Sequence, residues 1–240
     1  MSMSKVVVVT GVSSGIGRAA AMKCVKQGCQ VLGTVRNAVN VQEVSGVAII
    51  QMDVRDEASI ERGIQTIIEK AKRIDVLVNS AGVTLIGAAE ETSIAEAQTL
   101  FDTNLFGLVR VIKVVLPHMR EQRSGRIVTI SSVLGILPAP YMALYSASKH
   151  AVEGLSETLD HEVCQFGIRV ALVEPSFTKT NMDLNAPQPD GVAATIVDAA
   201  LGAWKMRHRP KGEASLLYKL RRFMPAGPVE NGLRRSFGLV

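Results

Sequence analysis

The segment Val6-Val7-Val8-Val9-Thr10-Gly11-Val12-Ser13-Ser14-Gly15-Ile16-Gly17 decides the fold of this 240-residue chain. Four valines in succession are typical of a strand covered on both faces, because β-branched side chains suit a buried sheet. Thr10 and Gly11 end the run, and a helical pattern over 15–26 follows at once. A strand, a tight glycine-rich turn and a helix in this order predict the first unit of a parallel α/β sheet.

Strand-like and helix-like segments alternate along the rest of the chain. Apolar runs that predict strands lie at 6–9, 30–35, 47–51, 75–78, 126–130 and 169–173. Helical patterns lie at 15–26, 57–72, 93–120, 143–164 and 192–204. Short connections and right-handed crossovers then predict a Rossmann-type, doubly wound parallel sheet in three α/β/α layers, with residues 1–240 as a single domain. A seventh strand is not predicted, because residues 209–213 have little β propensity.

Composition narrows the class of protein. Hydrophobic residues make up 47% of the chain and aromatic residues 4%, as expected of a globular protein with an aliphatic core. Three cysteines without a Cys-x-x-Cys pair favour reduced thiols and indicate no metal site. No run approaches the ~20 apolar residues that span a bilayer, and the first apolar run is too short for a signal sequence. We therefore expect a soluble, cytoplasmic protein that binds neither metal nor nucleic acid.

The C-terminal part is strongly basic. The whole chain carries a net charge of +5, and residues 205–240 hold nine Lys or Arg against two Asp or Glu. A solvated basic face is the simplest interpretation. A second interpretation is a helix that lies on a membrane surface with its apolar residues facing lipid, namely Leu216, Leu217, Leu220, Phe223 and Met224. A third is an element that packs over a substrate pocket, and the sequence favours it over the second.

The glycine-rich turn has the composition of a phosphate site. Glycines let the backbone turn sharply and approach a pyrophosphate, whose negative charge is favoured at a helix N-terminus. The position between a strand and a helix weakens the alternative of a purely structural turn. The predicted contacts are Gly11, Ser13, Ser14, Gly15, Ile16 and Gly17. The turn therefore predicts a dinucleotide cofactor.

The end of the second predicted strand discriminates between the two nicotinamide dinucleotides. Sites for NAD usually place an acid there to bind the ribose hydroxyls, but here Arg36 and Asn37 follow the strand. A guanidinium can pair with the 2′-phosphate of NADP and stack on adenine, so NADP(H) is predicted in preference to NAD(H). The alternative is a solvated Arg36 in a loop. Arg18 is either a second phosphate contact or a surface residue.

Two further segments follow predicted strands at the edge of the sheet where ligands of such folds bind. Asp53 and Val54 follow the third strand, where the carboxylate is placed to accept the adenine amine or, alternatively, to cap the next helix. Asn79, Ala81 and Gly82 follow the fourth strand. Small side chains there allow the cofactor to approach closely, so we predict that both segments contact it.

Tyr145 and Lys149 carry the predicted chemistry. Residues four apart share one face of a helix, so the Lys149 ammonium is expected near the Tyr145 phenol. A neighbouring cation favours the ionised phenol and lowers its pKa from about 10 towards neutrality, which suits proton transfer. Alone, such a pair is more often a matter of packing and solubility. The other motifs of the chain change that balance.

Together these motifs resemble the short-chain dehydrogenase/reductase family, over nearly all of residues 5–180. The family's Thr-Gly-x-x-x-Gly-x-Gly corresponds to 10–17, its Asn-Asn-Ala-Gly to 79–82 with Ser80 as the second residue, and its Pro-Gly-x-x-x-Thr to 175–180 with Ser176 as the second residue. The family's catalytic serine corresponds to Ser132, 13 residues before Tyr145. The segments 145–154 and 217–225 are similar to the branch that contains 17β-hydroxysteroid dehydrogenase type 1 and the retinol dehydrogenases.

The resemblance implies specific roles for residues of this chain. Its catalytic residues would be Asn104, Ser132, Tyr145 and Lys149. Tyr145 and Lys149 would also contact the cofactor, and Pro175, Thr178 and Thr180 would hold the nicotinamide. Residues 1–130 would then mainly bind cofactor, and 131–240 would carry catalysis and the substrate site.

The implied activity is NADP(H)-dependent hydride transfer between the nicotinamide and a carbonyl or secondary alcohol. An apolar set is expected to line the pocket and suits a lipophilic small-molecule substrate: Leu134, Ile136, Leu137, Met142, Phe177 and Met182. The alternative is a catalytically silent, NADP-binding regulatory protein of the same fold. His150 leaves the face of Tyr145, so a structural role is predicted for it. The resemblance also implies a homodimer or homotetramer, built through the helices around Asn104 and Tyr145.

Overall fold

Seven parallel strands form one twisted sheet in the computed structural model, which describes residues 4–39, 42–178, 188–223 and 226–239. The strands are β1 (Val6–Thr10), β2 (Gln30–Val35), β3 (Val47–Gln51), β4 (Val76–Asn79), β5 (Gly125–Ile130), β6 (Ile168–Val173) and β7 (Arg207–His208). Their order across the sheet is β3-β2-β1-β4-β5-β6-β7. The order reverses between β1 and β4, which confirms the doubly wound topology and places a ligand crevice at the carboxyl ends of these strands.

The seventh strand is the element of the sheet that the sequence did not predict. Arg207 and His208 pair with Leu172 and Val173 of β6, and backbone hydrogen bonds from Leu172 N–H to Met206 and from Glu174 N–H to His208 hold the strand in place. Two residues are too few to give a periodic signal. These residues form a strand because they pair with the edge of β6, and not because of their own β propensity.

Eight α-helices cover the sheet and extend beyond it in the part of the chain that is described. They are α1 (Gly15–Lys26), α2 (Glu57–Ala71), α3 (Ile94–Phe101), α4 (Gly107–Glu121), α5 (Ala143–Val163), α6 (Asp190–Leu201), α7 (Glu213–Phe223) and α8 (Ala226–Ser236). The single helix predicted over 93–120 is divided, because residues Asp102–Phe106 form a π-helical turn between α3 and α4. Such turns often occur at functional sites, and this one contains Asn104.

Two apolar layers hold the helices to the sheet. On one face α2, α4 and α5 pack against the sheet through residues such as Ile64, Val115 and Val152. On the other face α1 and α6 pack through Ala20 and Ile196. The sheet is therefore buried on both sides, as the unbroken valine run of β1 predicted, and the fold has the three expected layers.

The beginning of α2 corrects one alternative drawn from the sequence. The N-cap is Asp56, whose carboxylate accepts a hydrogen bond from the Ser59 N–H at 3.2 Å. Asp53 therefore does not cap this helix, because Asp56 lies three residues nearer to it. The Asp53 carboxylate remains at the carboxyl end of β3.

One helix of the basic C-terminal part, α7, packs against residues near the predicted substrate pocket. Ala214 and Leu217 of α7 pack on an apolar cluster that includes Val133, Leu134 and Met142. Leu216 and Phe223 stay exposed on α7. No helix within the described ranges is both long and apolar enough to cross a bilayer. No described residue of 205–240 lines the cleft itself, so a pocket cover and contact with a membrane surface both stay predictions.

Candidate active site

The glycine-rich turn brings two chain segments into backbone contact. Gly11 has a φ of 75°, and a Cβ added there would lie 2.9 Å from the Ala81 Cα. A Cβ on Gly17 would lie 2.4 Å from the Gly11 carbonyl oxygen, inside the van der Waals distance. Only glycine fits either position. The turn is therefore tightly packed against the loop after β4 and against its own backbone.

Thr10 fixes this turn to the loop that follows β4. Its Oγ1 accepts hydrogen bonds from the N–H groups of Ser80 and Ala81, each at 3.0 Å. Thr10 itself is buried. The loops after β1 and β4 flank the reversal of strand order, so one hydroxyl ties together both walls of the crevice.

The N-terminus of α1 faces the crevice without a competing acid. Its N-cap, Ser14, has an extended backbone and makes no side-chain capping hydrogen bond, and the first turn contains no acidic residue. The Ser14 side chain therefore accepts no hydrogen bond from the backbone N–H groups of the first turn. Together with the helix dipole, they favour a negatively charged group such as a pyrophosphate.

A cleft of about 810 Å³ runs along the carboxyl ends of the strands. Most of the residues predicted to bind cofactor line it: Gly11, Ser13, Ser14, Gly15, Ile16, Gly17, Arg36, Asp53, Val54, Ala81, Gly82, Tyr145, Lys149, Pro175 and Thr178. Ser132 lines it as well. Thr180 lies outside the described residues. The cleft thus brings the glycine-rich turn and the predicted catalytic side chains into one cavity.

Asn79 lies behind this cleft, because its side chain points into the protein. It lines a small inner cavity of about 10 Å³ with Asn104 and Lys149, and its residue is buried. Among the described residues its Nδ2 has no hydrogen-bond partner, and neither has the nearby Thr129 Oγ1. A cavity of this size holds about one water molecule, which would satisfy both groups. Asn79 therefore lines the inner cavity and not the cleft, and its predicted contact with the cofactor stays a prediction.

The part of the cleft lined by Arg36 and Asp53, where the sequence predicts the adenosine of the cofactor, carries one residue that the sequence interpretation missed. Arg55 lines the cleft and forms an ion pair with Asp53, with Nη2 to Oδ2 at 3.0 Å. The hydrogen bond of Arg55, with the charges of Arg55 and Arg36, lowers the pKa of Asp53 despite partial burial. Arg36 is exposed at the end of β2 and lines the same region. An ionised carboxylate and two guanidinium groups thus surround this end.

Arg18 does not reach the cleft. Its guanidinium donates hydrogen bonds to the carbonyl oxygens of Gln42 and Glu43, at 3.1 and 3.0 Å. The side chain therefore ties α1 to the loop before β3. Of the two alternatives for Arg18, the structure supports a surface role and not a phosphate contact.

Tyr145, Lys149 and Ser132 meet at the centre of the cleft. Lys149 is buried, and its Nζ donates a hydrogen bond to the Ile130 carbonyl oxygen at 2.9 Å. The Nζ lies 5.7 Å from the centre of the Tyr145 ring. Ser132 Oγ accepts the Leu134 N–H at 3.2 Å, which begins a short 3₁₀ turn and aims the serine at the cleft. The i to i+4 spacing on α5 places the phenol and the ammonium on one face, as predicted.

The electrostatics of this pair differ from the sequence expectation. Burial raises the pKa of Tyr145 to about 12, and a hydrogen bond with Ser132 only partly opposes that rise. Burial likewise lowers the pKa of Lys149 to about 8, and the charge of Glu153 opposes the fall. The expected lowering of the Tyr145 pKa by Lys149 is therefore absent in the cofactor-free protein, because desolvation outweighs the distant ammonium.

Asn104 is held at the kink between α3 and α4. Its Oδ1 accepts the Val83 N–H at 2.8 Å, and its Nδ2 donates to the Val83 carbonyl at 2.9 Å and to Ser148 Oγ at 3.3 Å. Ser148 in turn donates to the Tyr145 carbonyl oxygen at 2.7 Å. Asn104 thus joins the loop after β4 to α5. Its side chain acts on the site through this linkage and lies beside Lys149 in the inner cavity.

The substrate side of the cleft is apolar. Leu134, Met142 and Phe177 line it as predicted, and Val83 and Ile86 add to the apolar wall. Ile136 and Leu137, also predicted, are absent from this lining, since the 3₁₀ turn at 133–135 directs the chain away from it. Met182 lies outside the described residues.

Two further observations bear on the predicted roles. His150 is exposed, and its Nδ1 lies 2.9 Å from the Ser146 carbonyl oxygen, which agrees with a structural role. No group of three or more His, Cys, Asp or Glu side chains placed to bind a metal occurs within the described ranges.

Comparison with known proteins supports the same assignment of the fold. The family model described as short chain dehydrogenase matches residues 5–190. A 3-ketodihydrosphingosine reductase of Bacteroides thetaiotaomicron is 40% identical over 181 residues, which cover 75% of this chain and 66% of that protein. Human retinol dehydrogenase 8 is 37% identical over 191 residues, covering 75% of this chain and 60% of that protein. The chain thus spans less than two thirds of the length of either relative.

Solved structures agree with the topology. A short-chain dehydrogenase from Streptomyces avermitilis superposes with a TM-score of 0.86 at 33% identity, with all of both chains covered. The NADP-bound structure of ElxO superposes with a TM-score of 0.78 at 28% identity and covers 87% of this chain and 98% of that one.

Proposed function

Since the chain belongs to the short-chain dehydrogenase family, we propose that it is an NADP(H)-dependent oxidoreductase acting on a carbonyl or secondary alcohol of a lipophilic substrate. Membership of the family supports a dehydrogenase or reductase that uses a nicotinamide cofactor. One observation carries the proposal further: Tyr145, Lys149 and Ser132 line the same cleft as the glycine-rich turn.

The cleft fits a nicotinamide dinucleotide. Gly11 and Gly17 allow the glycine-rich turn to pack against its own backbone and against Ala81, and the uncapped N-terminus of α1 lines the cleft beside this turn. Pro175 and Thr178, after β6, border the opposite end of the cleft. When bound there, the nicotinamide supplies or accepts the hydride. The chain itself must then supply the proton and orient the substrate.

Tyr145 is the group that exchanges the proton. A phenol with a raised pKa is fully protonated at neutral pH, so it is ready to donate to an oxygen on which negative charge develops during reduction. Ser132 is placed to donate a second hydrogen bond to that oxygen. Lys149 is buried beside them, and its ammonium stabilises the phenolate that remains after donation.

The preference for NADP(H) rests on Arg36. Its guanidinium borders the adenosine end of the cleft, where an acidic residue is typical of sites for NAD. Arg55 adds a second cation to this region, although Asp53 engages it in the present structure. The NADP-bound relative of similar fold is consistent with this preference.

The proposed substrate class is a long-chain or polycyclic ketone or alcohol. The apolar wall of the cleft, with Phe177 half exposed at its mouth, suits such a compound. The names of the two relatives, which concern a sphingoid ketone and retinol, point to lipophilic compounds as well.

A substrate panel combined with one variant tests the reaction. Long-chain ketones, steroids, retinoids, aliphatic ketones and sugars are assayed with NADPH and with NADH. Tyr145→Phe keeps the ring and removes the proton, so we expect turnover of any accepted ketone to fall by about 100-fold or more with cofactor affinity retained. Undiminished turnover by the variant would refute the role of Tyr145, and binding of NADPH without turnover of any compound by the wild type would favour a regulatory protein.

A pair of arginine variants tests the cofactor preference. Loss of a charge-assisted contact to the 2′-phosphate in Arg36→Gln is expected to weaken NADPH binding by about tenfold or more and to leave NADH binding nearly unchanged. Arg18→Gln is the matched control, because Arg18 bonds to loop carbonyls outside the cleft. Equal effects of the two variants on NADPH would remove the argument for Arg36.

We also propose that the chain forms a homo-oligomer through the α4 and α5 side. The support for this interface is the family resemblance, and Phe106, immediately before α4, is 51% exposed and therefore serves as a probe of that side. Light scattering of the wild type and of Phe106→Ser would test this, with a shift of the variant towards the monomer as the expected result.

A further inference from the structure

A buried ionic cluster lies behind the catalytic side chains. Glu153 is 6% exposed on α5, and Glu174 is 1% exposed immediately after β6. Nη1 of Arg207, on β7, bonds to both carboxylates, and its Nη2 contacts Glu157 at 2.5 Å. One guanidinium therefore connects the catalytic helix to the last strands of the sheet.

Glu153 uses only one of its oxygens in this cluster. Its Oε2 bonds to Arg207, whereas Oε1 has no hydrogen-bond partner of good geometry among the described residues. Ser131 Oγ lies on the same side and is likewise buried without such a partner in that part of the chain. A Cβ added to Gly135 would lie 2.9 Å from Ser131 Oγ and 3.0 Å from Glu153 Cγ. The second oxygen thus lies in a tightly packed compartment next to Ser131.

Lys149 lies one helical turn before Glu153 and borders the same compartment. Its Nζ bonds to the Ile130 carbonyl, the residue before Ser131, and its backbone carbonyl lies 3.2 Å from the Cβ position of Gly135. In such surroundings charges interact strongly, because little water screens them. Lys149 and Glu153 are thus oppositely charged neighbours in a low dielectric.

Among the described residues, five ionisable or polar groups act on Glu153, and Arg209 joins the cluster through an ion pair with Glu174. The five are Lys149 and Glu157 on α5, Glu174 after β6, Arg207 on β7 and Ser131 after β5. Burial and the charge of Glu174 raise the pKa of Glu153 to about 7, against the effects of Ser131 and Arg207. Above pH 7 the carboxylate is therefore mostly ionised, and this is the range in which Lys149, with a pKa of about 8, begins to lose its proton.

We propose that Glu153 is a positioning residue that keeps the Lys149 ammonium charged. Arg207 holds the Glu153 carboxylate in place, one turn of α5 after Lys149. The inference deepens the proposed function, since it concerns the cation that supports Tyr145. Removing the charge of Glu153 leaves burial of Lys149 unopposed. The ammonium then loses its proton at lower pH.

The decisive measurement is the protonation of Lys149 in the cofactor-free protein. Competitive acylation followed by mass spectrometry gives the pH midpoint at which Lys149 becomes nucleophilic. In Glu153→Gln we expect this midpoint to fall by about one pH unit relative to the wild type. Glu157→Gln is the matched control, because it also removes a carboxylate partner of Arg207 but lies one turn further from Lys149. Its midpoint is expected to match the wild type.

The outcomes separate this inference from the proposed function. An unchanged midpoint in Glu153→Gln would overturn the inference about Glu153. A shift in Glu157→Gln as large as that in Glu153→Gln would also overturn it, because it would indicate a general effect of charge. If Glu153→Gln does not fold, Glu153→Asp replaces it in the experiment, because its carboxylate lies one methylene further from Lys149. This variant should lower the Lys149 midpoint by less than Glu153→Gln would, and an unchanged midpoint would overturn the inference. Where a substrate is found, the loss of reductase activity at high pH should begin about one pH unit lower in Glu153→Gln. A wild type without any turnover would refute the proposed function and leave the acylation result intact.

Discussion

Replacement of Thr10 by valine tests how the two walls of the crevice are joined. Valine has nearly the shape of threonine but no hydroxyl, so the substitution removes one atom that accepts two hydrogen bonds, from the Ser80 and Ala81 N–H groups. Thr10 is 1% exposed, so water cannot easily replace the hydroxyl. The close approach of Gly11 to Ala81 depends on the same contact between loops.

The expected cost follows from the two unpaired N–H groups. A buried donor left without a partner costs about 1–3 kcal/mol. Ser80 and Ala81 are only partly buried, so the lower part of that range applies to each, and the free energy of unfolding should fall by about 2–3 kcal/mol. For a chain of 240 residues this corresponds to a decrease in Tm of about 4–12 °C.

Thermal unfolding at one fixed protein concentration measures this loss, and NADPH titration measures its effect on the cleft. Thr10→Ser keeps the oxygen and removes only a methyl group, so it is the control and should retain most of the stability and the affinity. A Thr10→Val protein with the Tm and NADPH affinity of the wild type would show that the hydroxyl does not hold the loops together. Equal losses in both variants would indicate that the position tolerates no substitution, and would not support the two hydrogen bonds as the cause.

Three further predictions concern other parts of the chain. Gly17→Ala places a Cβ 2.4 Å from a backbone oxygen, so NADPH binding should fall at least tenfold, as measured by fluorescence titration, while far-UV circular dichroism stays unchanged. Burial raises the pKa of Asp160, but the hydrogen bonds of Arg169 and of a backbone N–H lower it by more, so the net shift is downward. The ionised carboxylate therefore stabilises the fold above the unfolded-state pKa, and this stabilisation disappears as the pH falls through the folded-state pKa. In urea unfolding, Asp160→Asn should lose about 1–2 kcal/mol of stability at pH 7 and almost nothing at pH 2. Burial raises the pKa of the Cys24 thiol to about 12, so a thiol reagent at pH 8 should modify exposed Cys164 in the native protein and Cys24 only after denaturation; rapid native labelling of Cys24 would contradict this.

Local pattern was sufficient for the elements that bury long apolar stripes. The bounds of β2, β3 and α1 agree with the sequence prediction at both ends, because in each a run of regular periodicity ends at a glycine, a polar residue or an arginine. The same reasoning missed the break at Asp102–Phe106, since a π-helical turn inserts one residue per turn without interrupting the apolar pattern. It also missed β7, whose two residues are a strand only beside β6.

Site residues divided along a similar line. The family resemblance assigned Ser132, and the i to i+4 spacing paired Tyr145 with Lys149. The structure brings all three to the cleft, because residues that follow parallel strands or share a helical face lie close together. The direction in which a side chain points could not be predicted from motif spacing. Asn79 points behind the cleft and Arg18 bonds to a loop, although both occupy positions from which the cleft was within reach.

The sequence by itself determined the sheet, its doubly wound order and the set of groups that meet at its carboxyl edge, since these depend on periodicity, on chain handedness and on glycines that no other residue replaces. Only the tertiary structure decided the electrostatics of that edge. Burial sets the pKa values of Tyr145 and Lys149, and it depends on the packing of every neighbouring element. The contact of Arg207 with Glu153 spans 54 positions of the chain, a distance over which no local pattern carries information.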